Sequence, residues 1–175
     1  MFTTWLGAVL ARDLRALRRE IEAYPQERDL WRVPPGAGIT NSGGNLALHL
    51  AGNLQYFIGT VLGATGYVRD REAEFARRDV PRAELLREVD SALAAVAQTM
   101  ARLREQDLAK PYPQPVGGVT LTTGDFLLHL AAHFTYHLGQ VDYHRRLLTG
   151  HAGQIRAVPL TELASAAPAA PAPKS

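Results

Sequence analysis

Between Leu86 and Leu103 the apolar residues Leu86, Val89, Leu93, Val96, Met100 and Leu103 fall at alternating steps of three and four. That spacing is the seam of a helix packed against other helices. A half-buried strand would need apolar residues at every second position, and no stretch of the chain keeps that alternation long enough. Three more segments carry a helical period. Leu6, Leu10, Leu14, Leu17, Ile21 and Tyr24 predict a helix from Thr4 to Tyr24, which Pro25 helps to end. Leu46, Leu50, Leu54, Phe57 and Val61 predict a second helix that is opened by Asn41 or Ser42, reaches Leu62 and is stopped by Gly63 and Gly66. Leu127, Leu130, Phe134, Leu138, Val141 and Leu148 predict a last helix, capped by Thr122 or Thr123 and ending near Gly150.

The connections are long. Pro34-Pro35-Gly36 and Gly38 mark the first as a loop, and Lys110 to Gly118 holds three prolines and two glycines and must cross the surface as irregular chain. Arg69 to Asp79 is a strongly charged connection with room for a short helical turn, after which Pro81 suits the start of the Leu86–Leu103 helix. Four amphipathic helices joined in this way predict an all-α four-helix bundle of up-down type with long crossover connections. At 175 residues one core is the default, and the bundle is expected to occupy residues 1–158. From Pro159 the composition turns to Ala and Pro, ending AAPAAPAPKS, so residues 159–175 are expected to form a disordered tail.

Composition removes several functions. There is no cysteine, hence no disulfide, no thiolate ligand and no cysteine nucleophile. The formal charge is only +2, and arginines are interleaved with acids, as in Arg18-Arg19-Glu20 and Arg69 to Glu74. Such mixing reads as solvated helix faces, so no nucleic-acid partner is expected. No apolar run approaches the roughly 20 residues of a membrane span. Met1 to Leu10 is apolar but lacks a basic leader and a small-residue cleavage site, so no membrane association and a cytoplasmic location are expected. GxSxG is absent, and the glycines at Gly36, Gly38, Gly43 and Gly44 do not form a GxxxxGK phosphate loop.

What remains is histidine. Of six in the chain, His129, His133, His137 and His144 all fall in the last helix. Residues four apart project from adjacent turns of one face, so His133 and His137 suit chelation of one ion, the geometry that HExxH zinc motifs use. His129 and His133 make a second such pair one turn earlier. His129, His144 and His151 are read as ordinary core or boundary residues. The row containing His133 and His137 adjoins the apolar stripe of Phe134, Leu138 and Val141, where imidazoles need partners. His49 stands beside Leu46, Leu50 and Leu54 in the second helix and faces the same core edge. Three neutral imidazoles from two helices leave a coordination position open, the arrangement of catalytic more than structural metal sites.

At these positions the chain resembles the DinB-like superfamily, which includes the YfiT-like metal-dependent hydrolases. The resemblance is carried by Asn45-Leu-Ala-Leu-His49-Leu-Ala-Gly-Asn53 and by His133-Phe-Thr-Tyr-His137-Leu-Gly-Gln140, and Arg69 to Phe75 also resembles one branch of the group. It implies a four-helix bundle, often a homodimer. One histidine of helix two and an HxxxH pair of helix four would bind nickel, zinc or a similar ion, roles that fall on His49, His133 and His137. Gly139-Gln140 favours this frame over the one beginning at His129. Some relatives act on low-molecular-weight thiols.

A divalent ion (zinc, nickel or iron) with an open position activates a thiol or water without a dedicated base. The expected function is therefore that of a metal-dependent enzyme acting on a small molecule, a thiol S-transferase or a hydrolase. The alternative is a metal- or ligand-binding bundle without catalysis. Tyr56 and Gln140 lie on the histidine faces as candidate substrate contacts, and Asp13 is a candidate for orienting a ligand imidazole.

Overall fold

A computed structural model describes residues 1–36, 38–150 and 155–169. Four long helices and one short one account for the architecture: α1 (Phe2–Glu22), α2 (Gly43–Leu54), α3 (Arg71–Ala76), α4 (Arg82–Arg102) and α5 (Thr123–Thr149). No described helix is long and apolar enough to cross a membrane. The predicted caps are in place. The Ser42 hydroxyl accepts from the Asn45 amide and the Thr122 hydroxyl from the Asp125 amide, each occupying one of the free N–H groups that open a helix. Gly150 ends α5 in the left-handed conformation that favours glycine.

Each of α1 and α2 packs on both α4 and α5, while α1 and α2 touch little and α4 and α5 sit across the bundle from each other. Cross-contacts fix the directions. Asp13 meets Thr135 and Glu20 meets Arg145, so α1 and α5 run the same way. Gln55 bonds Glu88 and Gly63 lies against Thr99, so α2 and α4 also run together. Arg18 meets Asp90 and Phe57 meets Phe126, which sets the two pairs antiparallel. The helices therefore run up, down, down, up. The long connections serve this order, since those before α2 and before α5 each cross a diagonal of the bundle. Trp31 anchors the first by donating to the Val80 carbonyl, and buried Tyr112 anchors the second by donating to the Phe57 carbonyl at 2.6 Å.

Two details depart from the periodic reading. In α4 the deepest residues are Leu85, Val89, Ala92, Val96 and Thr99, whereas Leu86, Leu93 and Leu103 are only partly buried. The seam turns toward its smaller residues because α2 comes close here. A Cβ on Gly63 would collide with Thr99, so the close approach needs glycine. The second departure follows Leu54, where residues Gln55–Thr60 continue the helix with π-type bonding, the Val61 amide reaching back to the Tyr56 carbonyl. One additional residue is accommodated in that turn, which rotates everything after it. Near the other terminus, Glu162 pairs with Arg15 and Arg19, holding the turn Leu160–Glu162 against α1 despite its Ala/Pro-rich surroundings. His151 and tail residues 170–175 lie outside the described residues.

His144 is a core histidine, as its place in the sequence suggested. It is buried between α1 and the first crossover, its Nε2–H donating to the Arg32 carbonyl at 2.8 Å and its Nδ1 accepting from the Tyr24 hydroxyl at 2.7 Å. Burial holds its pKa below the ordinary 6.5 and outweighs the bond to Arg32, which acts the other way. Because the folded state resists protonation more than the unfolded state, His144 contributes stability that is present above about pH 6.5 and lost as pH falls through the folded pKa. A Tm-against-pH profile is therefore expected to fall more steeply below pH 6.5 for the unsubstituted protein than for His144→Gln. Parallel profiles would remove this role.

Candidate metal centre

His49 comes from the buried middle of α2, and His133 and His137 come from successive turns of α5, which crosses α2 antiparallel. Their ring centroids are 5.2 Å (His49–His133), 5.4 Å (His49–His137) and 4.6 Å (His133–His137) apart. One nitrogen of each lies within 4.8 Å of the others, the one group of this kind among the described residues. The Nε2 atoms of His49 and His133 are 3.4 Å apart. Two nitrogens bound at 2.0–2.1 Å to one tetrahedral ion are separated by about 3.3–3.4 Å, so the spacing fits a shared cation.

The outward nitrogens support this orientation. His49 Nδ1 donates to Glu74 Oε2 at 2.9 Å, which leaves a lone pair on its Nε2. His137 Nδ1 donates to Gln140 Oε1 at 2.6 Å, likewise directing Nε2 inward. His133 Nδ1 is buried without a partner among the described residues. Burial, with repulsion from His137, His49 and His129 next in weight, pushes the His133 pKa down to about 4. Burial thus keeps His133 in the neutral form that ligates a cation.

Behind His49 stands a buried carboxylate. Burial alone would raise the Glu74 pKa, but hydrogen bonds from Arg69 and His49 outweigh it and hold the carboxyl below its ordinary value. Arg69 clasps both oxygens, Nε to Oε1 at 2.7 Å and Nη2 to Oε2 at 2.8 Å. The carboxylate fits only because residue 52 is glycine, since a Cβ there would strike Glu74 Oε1. A carboxylate on the far nitrogen of a ligand imidazole fixes its tautomer and raises its basicity.

The three histidines line an open cavity of about 430 Å³. Phe57, Phe75, Phe126 and Val116 supply apolar wall, and Asn53, His129, Arg69 and Arg71 supply polar groups. No Asp or Glu is among the described residues that line it.

Not every candidate takes the place its spacing suggested. Asp13 is buried but accepts from Thr135 Oγ1 at 2.8 Å and Arg12 Nε at 2.8 Å and bonds none of the three histidines. Glu74 fills the orienting role considered for it. Tyr56 donates to Gln114 at 3.3 Å and is not part of the cavity wall. The π segment has turned it aside and brought Phe57 round to the face that Tyr56 would hold in a regular helix. Gln140 meets the site through the His137 ring rather than through the cavity wall. His129 is exposed and stacks on His133 at 5.9 Å, at the cavity edge but outside the ligand group. Periodicity carried no signal for Glu74 and Arg69, which lie outside the long helices; the resemblance of the Arg69 to Phe75 segment was the only pointer.

Compared with known protein families, the chain matches the model of the DinB superfamily over residues 10–141. A search of curated proteins found no match.

Proposed function

The chain belongs to the DinB superfamily, and from that premise we propose that His49, His133 and His137 bind a divalent ion at which a small molecule reacts, with a low-molecular-weight thiol as the favoured nucleophile. The observation that carries the reading is the convergence of three imidazoles, two of them oriented by Glu74 and Gln140, on an open cavity. When bound, such an ion supplies the Lewis acidity that makes a thiol or water nucleophilic near neutral pH. The chain's own residues hold the three ligands in one tautomer, surround them with Phe57, Phe75 and Phe126, and leave one side open. The lack of a carboxylate on the described cavity wall favours thiol transfer over hydrolysis, because hydrolysis of an ester or amide gains more from a general acid or base at the leaving group.

The test is turnover. Protein loaded with zinc, nickel or iron(II) is expected to consume an electrophile in the presence of a thiol cofactor, to stop when a chelator removes the ion and to resume when it is restored. If loaded protein turns over no electrophile with any thiol cofactor and cleaves no member of an ester and amide panel, it is a binding bundle.

A further inference from the structure

We propose that Arg71 forms a subsite beside the three histidines for a small molecule that carries a carboxylate. This inference rests on reading the cavity as a substrate site and assigns the chemistry of the substrate. The two arginines of the wall differ in a decisive way. Arg69 is neutralised by Glu74, which is buried behind it. Arg71 is exposed, lies with its guanidinium 5.2 Å from the centroid of the Phe75 ring, and has no carboxylate partner among the described residues. Phe75 in turn packs against the His49 ring at 4.9 Å, so the unpaired charge sits one ring away from the ligand group.

No acid on the described wall competes for that charge, so an incoming anion meets a positive rim. A guanidinium presents paired N–H donors that match a carboxylate while its flat face stacks on an aromatic ring.

Asn53 lies one helical turn after His49 and is 7% exposed, but its Oδ1 is shielded from solvent, so Arg71 alone reads the polar end of the ligand. Phe57 and Val116 leave apolar wall for the ligand's carbon body.

N-benzoylglycine has the carboxylate and the apolar body and serves as the probe, and N-benzoylglycinamide lacks the charge. Binding is measured by calorimetry on the full chain, both zinc-loaded and chelator-treated, with circular dichroism to verify that each form is folded. N-benzoylglycine is expected to bind roughly tenfold more tightly than its amide, as for a charge-assisted hydrogen bond at a half-open site. Arg71→Gln is expected to abolish that preference while leaving the affinity of the amide unchanged.

The chelator-treated arm separates the two readings. Preference for the carboxylate there, in protein that binds no zinc, sinks the metal assignment and keeps the subsite. Zinc binding without the preference does the reverse. Equal affinity for acid and amide, unchanged preference in Arg71→Gln, or no binding of N-benzoylglycine at millimolar concentration overturns the subsite.

Discussion

Zinc affinity in His133→Ala is expected to fall by more than the 10- to 100-fold typical of losing an outer partner of a metal site, while the melting temperature of the metal-free protein changes little. Removing the imbalance at His133, whose Nδ1 is buried without a partner among the described residues, costs the fold no hydrogen bond there. Competition with a chromophoric chelator gives the affinity and a thermal melt gives the stability. Glu74→Gln is the companion variant. It retains the volume but loses the charge that Arg69 and His49 both bond, so affinity should drop 10- to 100-fold with all three ligands intact. A large fall in melting temperature for metal-free His133→Ala would identify the histidines as a structural cluster instead. Unchanged zinc affinity in both variants would sink the centre.

The second large effect lies away from the cavity. Arg145 and Glu20, each 2% exposed, pair between α5 and α1 on the adjoining wall of the bundle, with Arg145 Nη2 also donating to Asp142 at 2.9 Å. Arg145→Met leaves the Glu20 carboxylate buried without its cation, which costs about 3–5 kcal/mol. At 2–4 °C per kcal/mol for a domain of this size, the melting temperature is expected to drop by roughly 10 °C. Arg145→Met with Glu20→Leu should recover much of that loss, since an apolar pair of similar volume does not strand a charge. A single variant as stable as the parent would show that water reaches Glu20.

The long helices and their caps were legible because they rest on local rules. Apolar spacing gave the faces, and Ser42 and Thr122 satisfy amides three residues away. The histidines were legible for a related reason, since the His133–His137 pair adjoins the apolar stripe of Phe134, Leu138 and Val141. Where the sequence reading stopped, the missing information was tertiary. Arg69 to Glu74 reads as a solvated charged segment, yet Glu74 is buried because Gly52 opens a space for its carboxylate and Arg69 neutralises it. Ala92 and Thr99 entered the α4 seam because α2 presses close to α4. Tyr56 missed the cavity because a π turn, which no residue type announces, displaced the helical phase by one position.

His49 and His133 are separated by 84 positions, with α3, α4 and the second crossover between them. During synthesis, therefore, the growing polypeptide has no complete ion trap until its last long helix has emerged and docked. On the proposed function, capture of an ion would be a late event in the life of the molecule, coupled to the docking of α5 on α2 rather than to folding of any single segment.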